Sequence, residues 1–173
     1  SLKPEVMDKT ARILQARLAR SGSTLMKEVR VPHDEDAVGN AIKDLAKDGA
    51  RLIVVFGASA VVDPHDVIPE GIRRSGGEVT QVGMPVDPGN LLVLGKLGRV
   101  PVIGAPGCAR SPKENGFDWV LMRLLAGLPP RGEFGGEELL ARIRALATRP
   151  IDAEELHGHW LGMFERAHEM FDL

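Results

Sequence analysis

The sequence predicts an α/β fold, a three-layer α/β/α arrangement around a mostly parallel sheet, on three observations. First, "RLIVVFG" at 51–57 is a short continuous apolar run between two segments of helical periodicity, the pattern of a strand covered on both faces in a parallel sheet. Second, strand-like and helix-like segments alternate along the chain, as they do in α/β domains. Third, the apolar runs end in Gly- and Pro-bearing turns that lead into helices, the place where open parallel sheets gather ligands.

The elements follow in order. "PEVMDKTARILQARLARSG" sets Val6, Ile13, Leu14 and Leu18 near helical spacing, with Pro4 suited to a first turn and Gly22 to a stop. "STLMKEVRV" alternates Leu25, Lys27, Val29 and Val31 against Met26 and Arg30, and reads as a strand. "DEDAVGNAIKDLAKDG" is a second amphipathic helix that Asp34 or Asp36 can cap and Gly49 can end. After the 51–57 strand, "DVIPEGIRRSGG" is a third helix and "EVTQVGMPV" a further strand. "LLVLGKLGRVPVIGAP" holds two apolar runs split by "GKLGR", a hairpin or a tight strand–loop–strand. "NGFDWVLMRLLAGLPP" is a helix with Phe117, Val120, Leu121, Leu124 and Leu125 on one face. Two more helical segments fill the tail. We therefore expect one α/β domain over 3–128 and a C-terminal helical extension over 129–173, divided at "LPPRGEFGG".

Bulk properties exclude several function classes. A chain of 173 residues suits one domain and can bury roughly 70% of its unfolded surface. A net charge of −2 gives no reason to expect a nucleic-acid or membrane surface, and 4% aromatic content argues against a stacking platform for single-stranded nucleic acid. No apolar run approaches the ~18 residues of a membrane span. The one cysteine rules out an internal disulfide framework and suits a reducing, cytoplasmic setting.

Three turns could carry chemistry. "FGASAVVDPHD" offers close backbone approach at Gly57, a hydroxyl at Ser59, and carboxylates at Asp63 and Asp66. "PVDPGN" is a Pro-Gly turn with Pro88, Gly89 and Asn90. "APGCARSPKENG" combines Pro106 and Gly107 with the Ser111 hydroxyl and the charges of Arg110 and Lys113 ahead of a helix, a pattern that favours an anion. Asp63 or Asp66 would hold Mg²⁺, which takes few carboxylates and completes its shell with phosphate oxygens and water. Each has a plainer reading: turns at strand ends, and aspartates that cap helices. Cys108 has no histidine beside it in sequence, so it reads as a small buried hydrophobe rather than a nucleophile. His157 and His159 stand two apart in a helical pattern and cannot share a face.

At these turns the chain resembles the molybdopterin-binding domain family of molybdenum cofactor biosynthesis, which includes molybdopterin adenylyltransferase, molybdenumtransferase and gephyrin. "GAS" at 57–59 followed by "HDVIPEGI" at 65–72 is similar to the family's GGTG…RDVTPEA loop, with Asp66 at its aspartate. The Pro88-Gly89-Asn90 turn resembles PGxP, and "APGCARSPK" from Ala105 to Lys113 resembles LPGxPK. The family's double glycine is Phe56-Gly57 here, and the glycine-to-Asp66 spacing is one residue longer, so Asp63 competes with Asp66. "FGAS", "GMPVDPGN" and "PGCARSPKENGFDW" together resemble the variant that precedes a domain similar to molybdenum cofactor cytidylyltransferase. The resemblance implies a first strand with a TGD-type segment that would precede residue 3. It implies binding of molybdopterin or a related pterin phosphate by Gly57, Ser59, Pro88, Gly89, Asn90, Pro106, Gly107, Ser111 and Lys113. Asp66, with Asp63 as rival, would be catalytic and hold Mg²⁺ in a nucleotidyl or metal transfer. It also implies a homo-oligomer, dimer or trimer. The competing expectation is a catalytically inactive fold relative serving as a regulatory or assembly module.

Overall fold

The computed structural model describes residues 2–59, 61–84 and 87–128. The expected C-terminal helical extension, with His157 and His159, lies outside the described residues.

Helix α1 (Pro4–Ala19) begins with proline in its first turn, and the chain leaves it through Gly22 at φ 67°. Helix α2 (Glu35–Lys47) is capped by Asp34, whose carboxylate accepts the Ala37 N–H at 2.9 Å, which decides between the two candidate caps. Strand β1 (Ile53–Phe56) and helix α3 (Val67–Arg74) follow, then β2 (Glu78–Val82), β3 (Val93–Leu97), β4 (Val100–Ala105), a short 3-10 helix at Gly107–Arg110, and α4 (Gly116–Leu125).

The sheet corrects two expectations. It is mixed rather than mostly parallel: in the order β1-β4-β3-β2, only β1 and β4 run parallel, and β4-β3 and β3-β2 are antiparallel. The physical reason is connection length, because the two-residue turn at Gly98 and Arg99 can only join antiparallel neighbours. The second correction is the 23–31 segment, which forms no strand. It has the side-chain alternation of one but pairs with nothing among the described residues, and β1 stands at the edge of the sheet.

Neighbouring residues of one strand join different apolar clusters, as the period of two requires. Leu94, Ile103 and Ala105 pack with Leu14 and Leu18 of α1 and with Phe117, Val120 and Leu121 of α4. Val93, Val102 and Ile53 pack with Val38 and Ile42 of α2 and with Ile68 and Ile72 of α3. Helix α3 comes close because glycines lie beneath it. A Cβ on Gly104 would stand 2.9 Å from Ile68 Cγ2, and one on Gly57 2.7 Å from Ile68 Cδ1.

Candidate functional site

Register brings the three turns to one end of the sheet. Phe56, the last residue of β1, is level with Ala105, the last of β4, so 57–66 and 106–115 leave side by side. Val93, the first residue of β3, is level with Gly104, so the turn before it reaches the same end. There Pro88 O accepts the Gly116 N–H at 3.0 Å, and a Cβ on Gly89 would stand 2.9 Å from Gly116 Cα. The Pro-Gly turn is thus seated on the start of α4.

Asp66 precedes α3, yet its carboxylate does not cap that helix. It turns back into its own loop, where Oδ2 accepts the Val62 N–H at 2.7 Å and the Asp63 N–H at 3.0 Å. Those bonds, the Asp63 one first, hold its carboxyl below the ordinary value. Asp63 accepts the His65 N–H at 2.7 Å on Oδ1 and shapes the same loop. His65 itself faces Glu70, 3.1 Å away, and contact with His65 and then Arg73 holds the Glu70 carboxyl low. Among the described residues no three His, Cys, Asp or Glu side chains converge on a metal position.

Ser59 is exposed and meets a residue that the sequence reading passed over. His33 Nε2 lies 3.1 Å from Ser59 Oγ, while its Nδ1 accepts the Ala58 N–H at 3.5 Å. An accepting Nδ1 puts the ring proton on Nε2, which then donates to Ser59 and leaves the hydroxyl proton free to turn outward.

In the third turn Pro106 is buried and Gly107 is exposed, with nothing within 4 Å of where its Cβ would stand. Ser111 Oγ accepts the Lys113 N–H at 3.2 Å. The Lys113 side chain is exposed and makes no ion pair among the described residues. Arg110 departs from the expectation of a charge at this turn: its NH2 donates to Gly57 O at 2.6 Å and its guanidinium lies over the Phe56 ring. Burial raises the Cys108 thiol above its ordinary value, and its Sγ lies 3.6 Å from Asn115 Oδ1. That favours the thiol over the thiolate, in keeping with a packing role.

What holds this turn in place is Arg17 of α1, which sequence reasoning missed. Its Nε reaches Asp118 Oδ1 at 2.6 Å, NH1 donates to Ala109 O at 2.7 Å, and NH2 to Ser111 O at 2.8 Å. Asp118 also accepts the Asn115 N–H, while Asn115 Oδ1 accepts the Phe117 N–H, so one charge pair fixes both the turn and the start of α4. The available signal was an arginine between Leu14 and Leu18 on the apolar stripe of α1.

The model of the family described as probable molybdopterin binding domain matches residues 2–127. The chain belongs to that family. Comparison with curated proteins and with solved structures found no significant match. Membership carries a role in molybdenum cofactor biosynthesis. No described helix is long and apolar enough to cross a membrane.

Proposed function

We propose that this molybdopterin-binding domain takes molybdopterin or a related pterin phosphate at the loop end of its sheet. The observation that carries the reading is the register that gathers the 57–66, 87–90 and 106–115 turns there. Lys113, an ammonium without an ion pair among the described residues, and the open backbone at Gly107 would hold the phosphate, with the Ser111 hydroxyl beside them. Ser59, oriented by His33, would offer its hydroxyl to the pterin.

Asp66 fits Mg²⁺ in one respect. Its Oδ2 is engaged by backbone N–H groups, and Oδ1 has no partner among the described residues. One carboxylate oxygen is a weak site alone and a sufficient one where phosphate oxygens complete the shell. Mg²⁺ would neutralise charge on the phosphate in a nucleotidyl or metal transfer, and this chain's residues would bind and orient the substrate.

Anaerobic calorimetric titration of the protein with molybdopterin, with and without Mg²⁺, tests this. Lys113→Ala should weaken binding about tenfold or more, the loss of one charge-assisted contact. Asp66→Ala should remove any contribution of Mg²⁺ and leave binding without Mg²⁺ nearly unchanged. A folded protein that binds no pterin, or a Lys113→Ala variant that binds like the parent, overturns the assignment.

A further inference from the structure

One imidazole holds two consecutive residues of the first turn. His33 Nε2 lies 3.1 Å from Ser59 Oγ, and Nδ1 accepts the Ala58 N–H at 3.5 Å. The ring also lies over Gly57, where a Cβ would stand 3.4 Å from its Cε1. Its backbone is fixed from the other side, because the Asp34 N–H donates to Pro32 O at 2.9 Å and the Asp34 carboxylate caps α2. His33 is exposed, so a ligand at the turn meets it directly.

The two ring contacts differ in quality. The one at Nε2 has an ordinary length, whereas 3.5 Å is long for an N–H donor. The long contact is also the one that protonation changes. With its proton on Nε2, the neutral ring accepts from Ala58 at Nδ1. In the imidazolium both nitrogens donate. Nδ1–H and the Ala58 N–H then face each other, two donors with no acceptor, which disfavours the charged ring. An anionic oxygen beside that gap reverses the balance, since it accepts both N–H groups and offsets the charge.

The charged groups around the ring leave its state open to a ligand. Within its own segment Arg30 pairs with Asp8 and Glu28, and Asp34 holds the Ala37 N–H. At the start of α2, Glu35 and Asp36 both pair with Arg74 of α3. In the 57–66 loop Asp63 accepts the His65 N–H, and His65 faces Glu70. That leaves Arg110, which donates to Gly57 O and opposes a charge on the ring, and Asp66, which favours one. After the Asp63 and Val62 N–H groups, a charged His33 is a further cause lowering the Asp66 carboxyl. No hydrogen bond or ion pair joins the two among the described residues.

We propose that the His33 ring takes up one proton from solvent as the anionic ligand binds, keeping Ser59 on Nε2–H while Nδ1–H and the Ala58 N–H donate to one phosphate oxygen. This rests on the reading that a pterin phosphate comes to this end of the sheet. A phosphate can reach both turns, since they leave neighbouring strands, about 4.8 Å apart, and Arg110 of one already touches Gly57 of the other.

Nitrogen-15 spectra of the histidine rings of the 173-residue protein, without Mg²⁺ and at mildly alkaline pH, supply the test. His33→Gln assigns the His33 signals. The probes are molybdopterin under anaerobic conditions and inorganic phosphate compared with sodium chloride of equal ionic strength. Alone, His33 should show the Nε2–H tautomer. With either probe both of its ring nitrogens should carry protons, while His65 keeps its spectrum. Glutamine can still donate to Ser59 but gains no charge. The affinity of the parent for molybdopterin, relative to His33→Gln, should therefore grow about fivefold from about pH 8 to pH 6. A purely structural role would leave that ratio constant, and the ionisation of the phosphate itself cancels from it. A ring that stays neutral in the molybdopterin complex, or a constant ratio, overturns the proposal and leaves the pterin reading standing. If phosphate charges the ring but molybdopterin does not bind, the pterin reading falls and this one stands. If neither probe charges the ring, this proposal falls.

Discussion

Arg17 and Asp118 are 7% and 9% exposed in their side chains, and the arginine donates to the backbone carbonyls of Ala109, Ser111 and Lys113 besides the carboxylate. Removing one member of a buried pair leaves the other charge in a poor solvent, at a cost of about 3–5 kcal/mol. Arg17→Met, which keeps the stem length, should therefore lose stability of that order in urea unfolding. Arg17→Lys should recover only part, since an ammonium cannot reach the carboxylate and these carbonyls in a fixed fork. A loss below about 1 kcal/mol for Arg17→Met would show a pair of surface value. Asp66 behaves differently because its partners are neutral N–H groups. A carboxyl whose folded-state pKa is lowered contributes stability that is present above its unfolded value and lost as pH falls through the folded one. Asp66→Asn should melt below the parent at neutral pH, and the two melting curves should converge in acid, below about pH 4. A gap that persists in acid would assign the effect to lost shape rather than to lost charge.

At the scale of elements, α3 sets the position of the Asp66 loop, and α3 sits where glycines let it. A Cβ on Gly104 would stand 2.8 Å from Val93 Cβ and 2.9 Å from Ile68 Cγ2, neither of them the far end of a flexible chain. Gly104→Ala should cost about 1–3 kcal/mol by overpacking, whereas Gly107→Ala meets nothing and should keep the parent melting temperature. Should Gly107→Ala bind pterin like the parent, the role proposed for that backbone falls. The same scale explains what the amino-acid sequence conveyed. Helical periodicity placed α1 to α4, apolar runs placed β1, β3 and β4, and "EVTQVGMPV" was legible as the strand β2. The 23–31 segment misled because alternation describes side chains, whereas a strand also needs a backbone partner, which no local pattern carries. Sheet direction misled for a related reason: the run at 51–57 does belong to a parallel pair, but β3 joins β4 through two residues and must reverse. Within the site, residues set by local turn chemistry were visible. Arg17 and His33 were not, since their partners lie 101 and 26 positions away.

At the scale of the molecule, one sheet serves two cores. Ile103 and Val102 are neighbours in β4 and are both fully buried, one against α1 and α4, the other against α2 and α3. Neither core can lose its sheet wall without taking the other's, so the described domain should unfold as a unit. The loop end depends on both, because α3 follows the Asp66 loop and α4 follows the Lys113 turn. This coupling has a measurable consequence. Ile103→Val thins the first core and Ile72→Val the second, each by one buried methylene, at about 0.5–1.5 kcal/mol. Each should lower the midpoint of one common transition followed by circular dichroism and by tryptophan fluorescence, and the double variant should lower it by the sum of the two. If Ile72→Val instead splits the curve, so that Trp119 on α4 reports a later transition than the sheet signal, the cores melt separately and the sheet does not couple them.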